Sequence, residues 1–306
     1  MRGGRPIDEV MKDPATPASL RNQLETIQDA RTYARDLGLE VDEQYTSYVN
    51  WPGDRIVTTV VTTRPGEVTP AGFWFPVLGR LPYKGFFDRK RAEAEAEKLR
   101  GKGFDVCVIG VPAYSTLGWI NDPVTAPMLR NGEGRTVESI FHELVHATVY
   151  TKDHVDFNET VASFIGQEAS VQFYADTEGA TAAETRRAAV DDSRALSAIL
   201  TGLRDRIEAL YQETEPGVEQ KRRREALENT AREELAALAL RGRDGTSLAQ
   251  SIRLNDACVA LSGTYSAGIE RYVANLATLD GNLPEFIARL RASADAPDPA
   301  EALLAP

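Results

Sequence analysis

The sequence predicts an α+β fold, in which a small β-sheet precedes a large and mostly helical lobe. Segments rich in β-branched and aromatic residues end near residue 111, and apolar residues at helical spacing dominate after Glu159. The two patterns do not alternate regularly, which disfavours a parallel α/β arrangement. With 306 residues, 42% of them hydrophobic and 26% charged, the chain has the composition of a soluble globular protein. It has room for one large domain or two smaller ones.

The first half of the chain contains clear start and stop signals. The predicted elements are, in order, a helix at residues 16–37, a β-hairpin of residues 45–50 and 55–63, a charged helix at 88–100 and an apolar strand at 104–111. Thr16 is the predicted N-cap of the first helix, and Gly38 follows its end. The hairpin turn is predicted at residues 51–54, where Pro and Gly follow a tryptophan.

The second half is predicted to be helical. Thr136 is the predicted N-cap of a helix through residue 146, and further helices are expected near residues 181–213, 220–241, 247–276 and 284–292. These predictions divide the chain into a helical segment (1–44), a β-sheet with the helices that follow it (45–178), a helical lobe (179–295) and a loosely held tail (296–306).

The most informative pattern is His142-Glu143-Leu144-Val145-His146, an HExxH motif. Histidines at i and i+4 lie on one face of a helix, about one turn apart, so both imidazoles can bind a single Zn²⁺. Glu143 projects toward the same face and can act on a water molecule there. The chain has only three histidines, and two of them are in this motif.

A catalytic zinc site needs a third protein ligand, and Glu159 is the candidate. It lies in the first turn of a predicted second helix. The alternative is that the histidines form a polar helix face that binds nothing. Apolar residues surround them, however, and buried imidazoles without a partner are costly. His154 is predicted to be a loop residue rather than a ligand, because the metzincin pattern requires a different spacing and a glycine.

Charge and hydropathy exclude several classes of protein. A formal net charge of −11 argues against a nucleic-acid partner. No apolar run is long enough for a transmembrane helix, and the first residues do not resemble an export signal. As written, the chain would stay in the cytoplasm. Cys107 and Cys258 lie in apolar surroundings and are expected to be reduced core residues, although the sequence cannot tell whether they meet.

Several blocks besides HExxH resemble one known family, the bacterial predicted aminopeptidases, a gluzincin-like group of HExxH zinc metallopeptidases. The blocks are Arg5-Pro6-Ile7 with Asp13-Pro14, residues 45–49, 75–77, 82–88 and 111–119, the metal motif with residues 157–159, and residues 254–257 with Tyr265. The resemblance covers nearly the whole chain. It implies a zincin-like fold with metal-binding helices in residues 45–178, one Zn²⁺ per chain and a peptide substrate. Most members of the family also carry an N-terminal lipoprotein signal, which favours the cell envelope and a lipid anchor on a missing N-terminus.

The spacing of His146 and Glu159 is shorter than in the thermolysin-like gluzincins. A tight loop between the two helices would bring both residues to one metal ion. In this interpretation Glu143 is the general base. Tyr265 is the candidate for a second group that stabilises the oxyanion, with a core tyrosine as the alternative.

Other residues are predicted to support the site. Ser163 can accept a hydrogen bond from a metal-bound histidine, and Asn255 belongs to the last resembling block. The strand that includes Ala113, Tyr114 and Ser115 is expected to pair with an extended substrate, unless it is simply a sheet edge.

The sequence leaves open whether the protein is an aminopeptidase. An aminopeptidase needs an acidic group for the substrate's α-ammonium, and Asp122 and Glu168 are the candidates. The alternatives are a zinc endopeptidase of extended peptides and a zinc-containing binding protein without catalytic activity. The oligomeric state cannot be predicted.

Overall fold

A computed structural model describes residues 4–75, 79–111, 122–262 and 268–305. These residues form a mixed α and β structure that is mostly helical, with small sheets. The strands are β1 (Arg5–Pro6), β2 (Ser47–Val49), β3 (Val57–Thr63), β4 (Phe73–Phe75), β5 (Gly79–Leu81), β6 (Tyr83–Phe86), β7 (Asp105–Val111) and β8 (Val124–Thr125). The helices are α1 (Ile7–Lys12), α2 (Ala18–Asp36), α3 (Arg89–Arg100), α4 (Ala126–Arg130), α5 (Glu133–Thr148), α6 (Val155–Glu178), α7 (Ala180–Glu213), α8 (Val218–Ala236), α9 (Gly245–Ser251), α10 (Asp256–Val259), α11 (Ile269–Thr278), α12 (Leu283–Ser293) and α13 (Pro299–Leu304).

The chain forms two compact units, each assembled from separated stretches. The first contains the described residues of Met1–Ile56, Pro112–Arg187 and Ala267–Pro306, and the second those of Val57–Val111 and Ala188–Ser266. The predicted division ran along the chain in consecutive segments. The difference arises because long-range packing, which local sequence patterns do not encode, decides which segments fold together. Among the described residues, no helix is long and apolar enough to cross a membrane.

The core of the first unit lies around α5 and α6. Apolar residues of α5 at helical spacing are fully buried, and they include Ile140, Phe141 and Leu144. Helix α6 is apolar around much of its circumference, as expected for a helix in the middle of a core. Helix α2 adds a buried stripe at Leu24, Ile27, Ala30 and Ala34. Strand β2 pairs antiparallel with β1 and parallel with β8 in a small sheet of the same unit.

The second unit is built on an antiparallel sheet of order β6-β3-β7. Val60 of β3 packs on one face of this sheet with Ala92 and Ala96 of α3. Val61 lies on the opposite face with Cys107 and residues of α10, as the alternation of side chains along a strand requires. The predicted hairpin of residues 45–50 and 55–63 is therefore wrong, because β2 and β3 belong to different sheets.

Three other expectations differ from the structure. Helix α5 begins at Glu133, after the left-handed Gly132, so Thr136 lies inside the helix and donates to the carbonyl oxygens of Met128 and Gly132. The segment predicted as a tail contains α13, whose Leu303 is completely buried in the core of the first unit. Cys107 and Cys258 are not reduced, since they form a disulfide within the second unit.

Candidate metal site

Helices α5 and α6 carry the candidate site, and a glycine lets them approach closely. A Cβ atom at Gly166 of α6 would lie 2.9 Å from the carbonyl oxygen of Glu138 and 3.2 Å from the backbone nitrogen of His142, both in α5. Only a residue without a side chain fits there without a shift of backbone. The contact places α6 directly against the turn of α5 that carries the first histidine.

The nearest ligand atoms of the two helices form a small triangle. His142 Nε2 and His146 Nε2 lie 3.1 Å apart, and Glu159 Oε2 lies 3.4 Å from the first and 3.6 Å from the second. A tetrahedral zinc ion with bonds of about 2.0–2.2 Å holds its ligand atoms about 3.3–3.6 Å apart. The triangle therefore has about the size of one face of such a tetrahedron, with the side between the histidines slightly short.

The surroundings of the histidines also fit a metal ion. His146 is 4% exposed, and its Nδ1 has no hydrogen-bond partner among the described residues, so its polar contacts run through Nε2 toward the triangle. His142 Nδ1 lies 3.4 Å from the hydroxyl oxygen of Ser163. That arrangement leaves the Nε2 atom of His142 directed at the same point as that of His146.

The charges at this site attract a cation or protons. Burial disfavours the charged form of His142, but its hydrogen bond to Glu159 and the charges of Glu143 and Glu159 outweigh this effect and raise its pKa. Burial likewise acts to raise the pKa of Glu159, yet hydrogen bonds from both histidines lower it to about 2. A metal ion and protons would therefore compete for the same three side chains.

Glu143 lies on the same helix, half-buried, and none of the described residues donates a hydrogen bond to its carboxylate. It is not one of the three clustered ligands. The pKa of the Tyr45 phenol is raised, mainly by burial and further by the negative charges of Glu143 and Asp122.

Tyr45 is a feature that the sequence analysis missed. Its backbone has a φ of 60°, a left-handed conformation that costs roughly 1–3 kcal/mol for such a residue. Hydrogen bonds hold it there: its N–H donates to the carbonyl oxygen of Asp122 at 2.7 Å, and Gln28 Nε2 donates to its carbonyl oxygen at 3.1 Å. Tyr45 was recognised only as part of a resembling block, and a strained φ leaves no signal in a sequence.

An ion pair between a buried arginine and a half-buried glutamate lies one turn from His142. Arg186 of α7 is 7% exposed, pairs with Glu138 of α5 and donates to the Ser170 hydroxyl of α6 at 2.9 Å. Burial, together with the nearby charges of Arg135 and Arg187, lowers the pKa of Arg186 to about 10. Arg186 of α7 thus contacts both α5 and α6.

The remaining predicted residues have different positions. Both carboxylate oxygens of Glu168 accept from Arg187, at 2.8 and 2.6 Å, so its charge is already compensated. Asp122 is buried next to Tyr45. Asn255 lies in the second unit, where its side chain caps α10 and donates to the Val106 carbonyl oxygen. His154 precedes α6 and is not among the clustered ligands.

Four predicted residues lie outside the part of the chain that the structure describes. They are Ala113, Tyr114 and Ser115, expected to contact substrate, and Tyr265, expected to stabilise the oxyanion. Their roles stay predictions.

Comparison with known proteins assigns the chain to a family. A family model described as "Putative aminopeptidase" matches residues 1–303, and the chain belongs to that family. Neither the curated proteins nor the solved structures include a significant match.

Proposed function

We propose that this protein is a zinc-dependent peptidase whose metal ligands are His142, His146 and Glu159. One observation carries the proposal: three ligand atoms from two helices form a triangle with sides of 3.1, 3.4 and 3.6 Å. Two imidazoles and a carboxylate are a donor set typical of catalytic rather than structural zinc, which usually has four protein ligands. Family membership supports peptide bonds as the target.

The protein's own residues have separate tasks in this reaction. Zinc, when bound, supplies a Lewis acid that polarises a carbonyl group and lowers the pKa of a water molecule. Glu143 accepts the proton of the attacking water and delivers it to the leaving amine, a step worth about 10²–10⁴-fold. Ser163 orients His142, because its hydroxyl oxygen can accept a hydrogen bond from the Nδ1–H group, which leaves the lone pair of the ring on Nε2.

The family name favours cleavage at the N-terminus of a peptide. An aminopeptidase must then hold an α-ammonium group with an acidic or carbonyl oxygen. Glu168 is a poor choice, since Arg187 occupies both of its oxygens. Asp122 is then the remaining acidic candidate for an aminopeptidase. A zinc endopeptidase, which needs no such group, is the second candidate function.

Digestion of a peptide library, followed by mass spectrometry, tests the activity and separates the two candidates. An aminopeptidase is expected to remove residues from the free N-terminus of each peptide, whereas an endopeptidase is expected to cut at internal bonds. Glu143→Gln is expected to keep zinc but to lose most of its kcat. Zinc without any turnover in the wild type would indicate a binding protein, and loss of zinc from Glu143→Gln would contradict the role of Glu143.

We also propose that the protein matures in an oxidising compartment, such as the cell envelope. The disulfide between Cys107 and Cys258 supports this, because disulfides are rare in proteins that fold in a reducing cytoplasm.

A further inference from the structure

The short connection between α5 and α6 is closed by one buried side chain. Asn158 is 2% exposed, and its Oδ1 accepts from the backbone N–H of Thr151 at 2.9 Å. Its Nδ2 donates to the carbonyl oxygen of the same Thr151 at 2.7 Å. A single amide thus satisfies both backbone groups of one loop residue, which requires a donor and an acceptor on the same short side chain.

This connection carries the strain of a tight turn. Helix α5 ends at Thr148 and α6 begins at Val155, and between them Asp153 has a φ of 65°. Thr151 is itself buried, and its hydroxyl lies 3.4 Å from the carbonyl oxygen of Ala294. Asn158 therefore ties the first turn of α6 to a loop residue that is held in place.

The position of this tie matters for the ligand triangle. Asn158 immediately precedes Glu159, and Thr151 follows His146 by five residues. Gly166 sets how close the two helices come, but it lies two turns further along α6. The contact at Gly166 is too far along α6 to fix its first turn. The hydrogen bonds of the Asn158 amide hold that turn instead.

We propose that Asn158 is a positioning residue of the metal site, which holds Glu159 Oε2 at the distance from the two histidines that a zinc ion requires. It does not bind the ion. The inference rests on the proposed zinc site, and metal sites tolerate displacements of only about 0.5 Å in their ligands. Loss of the amide would allow the first turn of α6 to move and would weaken zinc binding more than it weakens the fold.

Gln220 offers a matched control in the second unit. It is also a buried amide in the first turn of a helix, and its Nε2 donates at 2.9 Å to the Thr214 carbonyl oxygen in the turn between α7 and α8. Gln220→Ala therefore removes a comparable closure of a helix connection without touching the ligand helices.

The experiment measures zinc affinity by competition with a chelator, and the melting temperature of the metal-free protein, for both variants. We expect Asn158→Ala to weaken zinc binding by about 10–100-fold, and Gln220→Ala to lower the melting temperature with unchanged zinc affinity. The visible spectrum of bound Co²⁺ should also change in Asn158→Ala, since it reports coordination geometry.

A second variant, Asn158→Ser, keeps the test decisive if Asn158→Ala does not fold, and the same selective loss of affinity is expected. If a folded Asn158 variant binds zinc as tightly as Gln220→Ala, this inference is overturned, although the proposed zinc site is not. A wild-type protein that does not bind zinc would instead overturn the proposed function itself.

Discussion

At the scale of single residues, the three histidines of the chain differ sharply in their surroundings. His146 is nearly inaccessible and uses only its Nε2 atom for polar contacts among the described residues, whereas His154 lies partly exposed before α6. Burial is costly for an imidazole nitrogen without a partner, and a metal ion at the triangle would give the Nε2 atom of His146 one. His154 lies at an ordinary loop position.

This contrast gives a direct prediction. His146→Ala is expected to remove bound zinc, because it deletes one of the three ligand atoms. His154→Ala is the matched control and should retain zinc at the wild-type ratio. Metal analysis by mass spectrometry, on protein purified without added metal, measures both. Equal zinc contents in the two variants would remove the assignment of His146.

At the scale of the elements, the packing of α5 on α6 depends on Gly166. A glycine in the middle of a helix normally costs about 1 kcal/mol relative to alanine. Its position here is explained by the Cβ that any other residue would direct at the backbone of Glu138 and His142. Both atoms belong to the backbone of α5, so neither can move without moving that helix.

Gly166→Ala is therefore expected to lower both the melting temperature and the zinc affinity. Gly202 in α7 is the matched control, because a Cβ there would meet no atom within 4 Å. Gly202→Ala should leave zinc affinity unchanged and raise stability by about 0.5–1 kcal/mol, as expected for alanine in a helix. A Gly166→Ala protein as stable as Gly202→Ala would show that the two helices can separate at no cost.

The same elements show how far a sequence can predict this structure. Helices α2 and α3 and the HExxH helix follow from local sequence patterns, and the proximity of His142 to His146 follows from i,i+4 geometry. One predicted helix at residues 247–276 is interrupted, because Asn255 caps the new helix α10 and Gly268 adopts a left-handed φ before α11.

What local patterns could not predict depends on contacts between distant segments. Strand β2 pairs with β1 and β8 instead of with its neighbour in sequence. The close approach at Gly166 and the strained Tyr45 are likewise set by residues that lie far away along the chain. The sequence therefore predicted the candidate ligands and the neighbouring Ser163. The glycine contact between α5 and α6 and the hydrogen bonds of Asn158 were found only in the structure.

At the scale of the whole molecule, the second unit is closed by a covalent link between segments that are far apart in sequence. The disulfide joins Cys107 of β7 to Cys258 of α10 across a separation of 151 residues. Weaker bonds act in parallel: Asn255 Nδ2 donates to the Val106 carbonyl oxygen at 3.2 Å, and the Asp256 N–H donates to Asp105 at 3.2 Å. The contact between α10 and the sheet should therefore form without the disulfide, although less stably.

Removal of the disulfide is expected to cost about 2–5 kcal/mol, because the unfolded chain regains the freedom of a long loop. The double variant Cys107→Ser/Cys258→Ser should unfold at lower denaturant concentration than the oxidised wild type. Its unfolding midpoint should equal that of the wild type in the presence of a reductant. The reductant should not change the midpoint of the variant. Zinc content should stay the same in all samples, since the ligands belong to the first unit. Two free thiols in protein isolated from an oxidising compartment, together with unfolding that a reductant does not change, would contradict both the disulfide's role and the proposed compartment.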